Sequence, residues 1–176
     1  EQALSRLMPE HVYQNLKQEV VKVDRFNQTT LLYADIVGFT SWSSGKDPAE
    51  IVGMLSDLFT KFDTSSIENG VYKVHTIGDC YVVLGVTGED RNPVGECLNV
   101  INFAKEMIKH IQTVNQEQQL ELNMRIGVHV GEVTGAIMGT SIVRYDIFGE
   151  DVIIANEIES GGVPGQIVCS QSVKDL

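Results

Sequence analysis

The sequence predicts an α+β domain, a ferredoxin-like β-α-β-β-α-β core with additional strands and helices. Three observations predict it. A β-branched apolar run, Thr29 to Val37, precedes a long amphipathic helical pattern. Two short strand-like runs then flank Gly78-Asp79. A second long helical pattern follows and leads into further strands. That order is the split pattern in which helices cover one face of a mainly antiparallel sheet, leaving a bare face that something must cover, a partner subunit being one candidate.

Composition sets the class. The chain has 176 residues, is 43% hydrophobic and carries a formal charge of -11. This suits one globular domain with a real core. So acidic a chain has no overall attraction for nucleic acid, and a polyphosphate ligand would need metal ions or local donors to offset the field. Three cysteines, Cys80, Cys97 and Cys169, lie without metal-ligand spacing and are expected to be reduced, as in the cytosol. No apolar run approaches the ~20 residues of a membrane span. Starting at Glu1 and ending at Leu176, the chain is expected to be a C-terminally truncated domain from a longer protein.

Element by element, residues 1–22 form an N-terminal arm or entry helix, with Pro9 and Glu10 near a helix start, and residues 23–176 form the main domain. Thr29–Val37 is a largely buried strand followed by a turn at Gly38-Phe39-Thr40. Asp47 caps a helix with Pro48 at its first position. Ile51, Met54, Leu55, Leu58, Phe59 and Phe62 make its apolar face. Val71–His75 and Tyr81–Val86 are strands joined by a Gly-Asp turn. Pro93 opens a second helix whose buried stripe is Val94, Cys97, Leu98, Ile101, Ala104, Met107, Ile108 and Ile111. Leu122–Val130 and Val133–Met138 read as a hairpin around Gly131-Glu132. A strand at Arg144–Ile147, a helix at Glu150–Ser160 and a strand at Gln166–Cys169 complete the chain.

Two carboxylates stand out. Asp35 ends an apolar strand and Asp79 sits at a hairpin tip. The first strand of this pattern lies beside the central hairpin, so both reach one end of the sheet. An ionised carboxylate ending a buried strand costs several kcal/mol unless paired or metal-bound. Two carboxylates with a backbone carbonyl suit Mg²⁺ or Mn²⁺. The same residue types also cap or form turns, and the chemistry alone admits both readings.

Four segments carry a resemblance. Leu31 to Thr40 (LLYADIVGFT), Tyr72 to Tyr81 (YKVHTIGDCY), Asn123 to Gly131 (NMRIGVHVG) and Arg144 to Gly149 (RYDIFG) resemble, in that order, the class III adenylyl and guanylyl cyclase family. The likeness runs from about Leu7 to the C-terminus. In that family two catalytic domains pair head to tail around the active site. The resemblance implies that Asp35 and Asp79, with the carbonyl of Ile36, hold two Mg²⁺ ions, for which Mn²⁺ substitutes. It implies that Gly38, Phe39 and Thr40 bind phosphate through backbone N–H groups. The reaction implied is attack of a ribose 3′-hydroxyl on the α-phosphate of ATP or GTP, with pyrophosphate leaving.

The sequence also departs from the family pattern. Where the family carries an asparagine and, four residues on, an arginine, this chain has Ile153 and Glu157. Isoleucine donates no hydrogen bond, and glutamate repels a triphosphate. The chain therefore resembles the metal-bearing half of a heterodimeric core. It is expected to act with a complementary domain, on the same chain or another, and to form at most an incomplete homodimer alone. Glu132 stands where many metal-bearing halves have a phosphate-binding arginine. It reads either as a solvated charge or as a weakening of phosphate affinity. His75 and Asp146 match the base-reading positions and would line a pseudo-pocket. His129 and Arg125 are expected to be structural, Arg125 as an ion-pair partner. The alternative function is a non-catalytic regulatory pseudo-cyclase module. The expected location is cytosolic, within either a soluble or a membrane-bound parent.

Overall fold

The computed structural model describes residues 23–77, 79–86, 88–138 and 144–176. The expected arm at 1–22 lies outside the described residues, as do Gly78 and the side chain of His75.

The elements are β1 (Asp24–Val37), α1 (Phe39–Ser43), α2 (Pro48–Glu68), β2 (Tyr72–Ile77), β3 (Cys80–Leu84), α3 (Pro93–Gln118), β4 (Asn123–Met138), β5 (Arg144–Phe148), α4 (Glu150–Ser160), β6 (Ile167–Cys169) and α5 (Gln171–Lys174). The sheet order is β2-β3-β1-β4-β5 and is antiparallel along that path, while β6 adds to β4 in parallel. The α+β core expected from the sequence is therefore present, with β1 beside the central hairpin.

The alternation of β1 explains the two faces. Leu32, Ala34 and Ile36 point to one side and join Tyr81 and Val83 beneath α2 and α3. Met54, Leu58 and Phe62 of α2 enter this core at 2%, 0% and 0% exposure. Each such side chain stabilises the fold by about 1.5–3 kcal/mol. Asp47 caps α2 by accepting the N–H of Ala49 at 2.9 Å, as its sequence predicts.

The stripe of α3 differs from expectation. Val94 and Leu98 are exposed, whereas Val100, Phe103 and Val114 are fully buried. Glu96 takes the inward position of the first turn, held by Arg91 at 2.8 Å. That buried pair turns the helix so that Cys97 and Val100 lead its apolar face.

The expected hairpin around Gly131-Glu132 is also corrected. Asn123–Met138 is one continuous strand. Its partner β1 runs back to Asp24 and pairs along it through an irregularity between Phe26 and Thr29. A glycine in a strand here marks a close approach by another element instead of a turn. A Cβ on Gly127 would lie 2.4 Å from the backbone nitrogen of Glu159, and one on Gly131 would lie 2.1 Å from Asp151. Helix α4 therefore lies almost on the sheet, on the face opposite α2 and α3. One part of the expected bare face is thus covered by this chain's own helix.

Candidate active site at the end of the central strands

The register of the strands brings the two aspartates together. Ala34 pairs with Tyr81, and one further step brings Asp35 level with Cys80. Ile77 pairs with Cys80, so Asp79 stands at the tip of the β2–β3 hairpin, diagonal to Asp35. Asp35 shares the face of Leu31 and Tyr33, the face on which α4 lies.

The Asp79 carboxyl is pushed up to about 6 by burial, by a hydrogen bond with Asp35 and by the Asp35 charge. Two like charges in contact resist ionising together unless a cation joins them. Burial, with the charges of Asp35, Glu159 and Asp79, pushes the adjacent Cys80 thiol up to about 12, so it stays a neutral thiol. The other Asp35 contacts are with its own strand and with β4. Its Oδ1 accepts the N–H of Ile36 at 2.9 Å. Its Oδ2 accepts from Arg125 Nη2 at 3.4 Å.

Gly38-Phe39-Thr40 follows directly, but not as the plain turn expected. Gly38, at φ 85°, is the N-cap of the short helix α1. Only a residue without a Cβ takes that backbone cheaply. The Gly38 carbonyl accepts from Trp42 at 2.9 Å. The leading N–H groups of a helix have no intrahelical partner, so this segment presents donors just beyond β1, the strand that carries Asp35 near its end.

The remaining candidates are spread over β4, β5 and α4. Arg125 pairs with Asp35 and with Glu159, as the structural role predicted for it requires. His129 is buried at 7% exposure and is bonded to Ser170 and Asp151, each at 2.7 Å. Glu132 is exposed within β4, 3.8 Å from Arg25, and its N–H donates to Asp151 Oδ2 at 2.8 Å. Its side chain is solvated, though not at a hairpin tip. Asp146 lies on β5, accepts the N–H of Ile147 at 2.9 Å, and acts electrostatically on Tyr33. The His75 backbone pairs with Val82. Ile153 is 61% exposed on α4, and Glu157 is exposed beside it.

One residue was missed from sequence. Glu159 is 3% exposed and approaches Arg125 Nε at 3.4 Å. Its signal was helical spacing, since Val152, Ala155 and Glu159 form the row of α4 that faces the sheet.

The model for the adenylate and guanylate cyclase catalytic domain matches residues 21–176. The chain belongs to this family. The cyclase domain is 39% identical over 179 residues to guanylate cyclase alpha of Plasmodium falciparum, covering 98% of this chain and 4% of that protein. It is 38% identical over 174 residues to the guanylate cyclase soluble subunit alpha-1 of Rattus norvegicus, covering 98% and 25%. It therefore spans a small part of the length of these curated relatives. Among solved structures it resembles the guanylate cyclase domain of RhGC from Catenaria anguillulae in complex with GTP, with TM-score 0.79 and 29% identity over 86% of this chain and 82% of that one. The adenylyl cyclase CyaB from P. aeruginosa, at TM-score 0.81 and 22% identity over 89% and 84%, shares the fold. Among the described residues, no helix of the cyclase domain is long and apolar enough to cross a membrane.

Proposed function

We propose that this cyclase domain is the metal-bearing half of a purine nucleotide cyclase. In this reading it converts ATP or GTP to the 3′,5′-cyclic monophosphate and pyrophosphate, at an interface with a complementary domain. The observation that carries the reading is the contact of Asp79 with Asp35, on the sheet face that also carries α4 with Ile153 and Glu157. The guanylate cyclase names of the relatives favour GTP.

The donor set fits divalent cations. Among the described residues, no group of three or more histidine, cysteine, aspartate or glutamate side chains is placed to hold a metal. The protein would supply the Asp35 and Asp79 carboxylates and the Ile36 carbonyl, all hard oxygens. Substrate phosphate and water would complete the shell, as is usual for Mg²⁺. Two Mg²⁺ ions, or Mn²⁺, would supply charge neutralisation and activation of the attacking hydroxyl. Asp35 and Asp79 would orient that charge from a rigid strand end and a hairpin tip. Phe39 and Thr40 would donate backbone N–H groups to phosphate oxygens, with Gly38 setting their direction.

Ile153 and Glu157 carry neither the donor nor the positive charge that the family places there. The complementary domain would bring both, so a homodimer of this chain would have two incomplete sites. The pair His75 and Asp146 would line the pseudo-symmetric second pocket, apart from the chemistry. The domain is assigned to the cytosol, where ATP and GTP are present.

Calorimetric titration with Mn²⁺ and a non-cyclising GTP analogue, with a complementary half present, tests the reading. Metal-dependent nucleotide binding that is lost in Asp35→Ala and Asp79→Ala is expected. Absence of such binding would instead make the domain a non-catalytic regulatory module.

A further inference from the structure

Helix α4 turns toward solvent a stripe that the chain itself leaves without partners. Its inner row, Val152, Ala155 and Glu159, lies against the sheet, so the opposite row at helical spacing is Glu150, Ile153 and Glu157. Ile153 is 61% exposed, and Phe148, just before the helix, is 44% exposed. The carboxylates of Glu150 and Glu157 flank this apolar surface and are exposed. Among the described residues neither of them has an ion-pair partner, whereas Asp151 of the same helix is bound to His129. Glu157 also stands in the last turn of α4, which holds no basic residue and whose carbonyl end is itself negative. In a chain that already carries a charge of -11, this carboxylate lowers the stability of the isolated domain.

The head-to-tail pairing proposed above gives that carboxylate a use. A two-fold arrangement that brings the complementary domain's asparagine and arginine to Asp35 and Asp79 also works in reverse. It sets Ile153 and Glu157 against the complementary domain's counterparts of those two aspartates. In a second copy of this chain the counterparts are Asp35 and Asp79 themselves. Three carboxylates would then meet, and symmetry would repeat the clash in both sites. We infer that Glu157 is a pairing filter: it rejects a second copy of this chain and selects a complementary domain that sets a basic side chain against Glu157 and apolar surface against Ile153 and Phe148. The inference rests on the head-to-tail reading and names the chemistry of the partner in it. Glu157 touches no substrate in this account.

Self-pairing and partner pairing are predicted to move in opposite directions. In metal-free buffer at low salt, Glu157→Gln should tighten self-association of the chain by roughly tenfold or more, because each repulsion is relieved twice. Glu157→Arg should tighten it further. In an Asp35→Asn/Asp79→Asn background the Glu157→Gln change should gain less than about twofold, since the carboxylates it offends are gone. Toward a complementary cyclase domain, Glu157→Arg should weaken binding by roughly tenfold and Ile153→Ser by several-fold, while Glu157→Asp stays within about twofold. Neither Glu157→Gln nor Glu157→Arg should lower the melting temperature, because both relieve the helix end.

The test is sedimentation equilibrium of the 176-residue chain and its variants, alone and mixed with a complementary cyclase domain that keeps its asparagine and arginine, with Mn²⁺-dependent turnover of the mixture measured alongside. An original chain that stays monomeric where Glu157→Gln and Glu157→Arg dimerise supports the filter. Unchanged self-association in both variants overturns it, as does a gain that persists undiminished in the Asp35→Asn/Asp79→Asn background. Should that background fail to fold, salt decides: added NaCl must strengthen self-association of the original chain and not of Glu157→Gln, and the reverse overturns the filter. If the mixture neither associates nor turns over, the head-to-tail reading itself falls. If it does both while the Glu157 variants change nothing, the filter alone falls.

Discussion

Asp35 and Arg125 face each other across the β1–β4 pair, with the guanidinium Nη2 3.4 Å from the carboxylate Oδ2. An apolar strand thus carries, two residues before its end, a charged pair that the same register brings beside Asp79. Each of the following expectations depends on such a placement.

The first concerns Asp79 and pH. Its carboxyl is raised from an ordinary value of 3.8 to about 6, with burial the largest cause and the neighbouring Asp35 next. The folded metal-free chain therefore holds a proton there that the unfolded chain has already released. Stability from this group is present at low pH and is lost as pH rises from about 4 to 6. Asp79→Asn mimics the protonated form, so the metal-free Tm at pH 7 should rise by a few degrees and its fall between pH 4 and 6 should flatten. Calorimetric scans across that range check it. A lower Tm at pH 7 would count against the shared-proton arrangement.

A second expectation concerns the link from β4 to α4. His129 Nε2 and Asp151 Oδ1 are 2.7 Å apart, and Asp151 Oδ2 also accepts the N–H of Glu132. Burial pushes the Asp151 carboxyl up, but the His129 hydrogen bond, the Glu132 N–H and the His129 charge outweigh it and leave it below the ordinary range. Asp151→Ala leaves a buried imidazole nitrogen without its partner and should cost about 1–3 kcal/mol in urea unfolding. The lowered carboxyl gives stability that is present at neutral pH and lost as pH falls through the folded value, so acid should narrow the gap between variant and original chain.

Gly127 provides a steric test. A Cβ there would meet the Glu159 backbone nitrogen at 2.4 Å, and backbone cannot turn aside as a side chain can. Gly127→Ala should lower stability by about 3 kcal/mol and displace α4 from the sheet. Denaturant unfolding gives the cost, and crystallography of the variant gives the displacement. An unchanged midpoint would mean that α4 is not held at this distance.

Much of this was legible in the sequence because local pattern and tertiary placement agree. The β-branched run that carries Asp35, the Asp47-Pro48 helix start and the two short paired strands β2 and β3 each specify their own conformation, and together they order the core. The glycines of β4 misled, because Gly131-Glu132 reads as a turn when its neighbours are unknown. Only the close approach of α4 explains a glycine in mid-strand. The stripe of α3 was misread for a related reason: Glu96 looks solvated until Arg91 is brought to it from the preceding loop. Glu159 escaped notice because a charged residue in a helix normally faces water, and its reason for burial lies on a strand far away in the chain. The two aspartates were visible from their settings, whereas their contact depended on the strand register.

The central claim is that this domain supplies the metal aspartates and another domain supplies the rest. It is tested most directly by mixing the chain with a complementary cyclase domain that keeps its asparagine and arginine but has its own metal aspartates replaced by alanine. Cyclic GMP formed from GTP in Mn²⁺ is then measured. The account predicts turnover by the mixture, little by either part alone, and a loss of about 100-fold or more on Asp35→Ala or Asp79→Ala. Full turnover by this chain alone, or turnover in the mixture that survives either substitution, would contradict it.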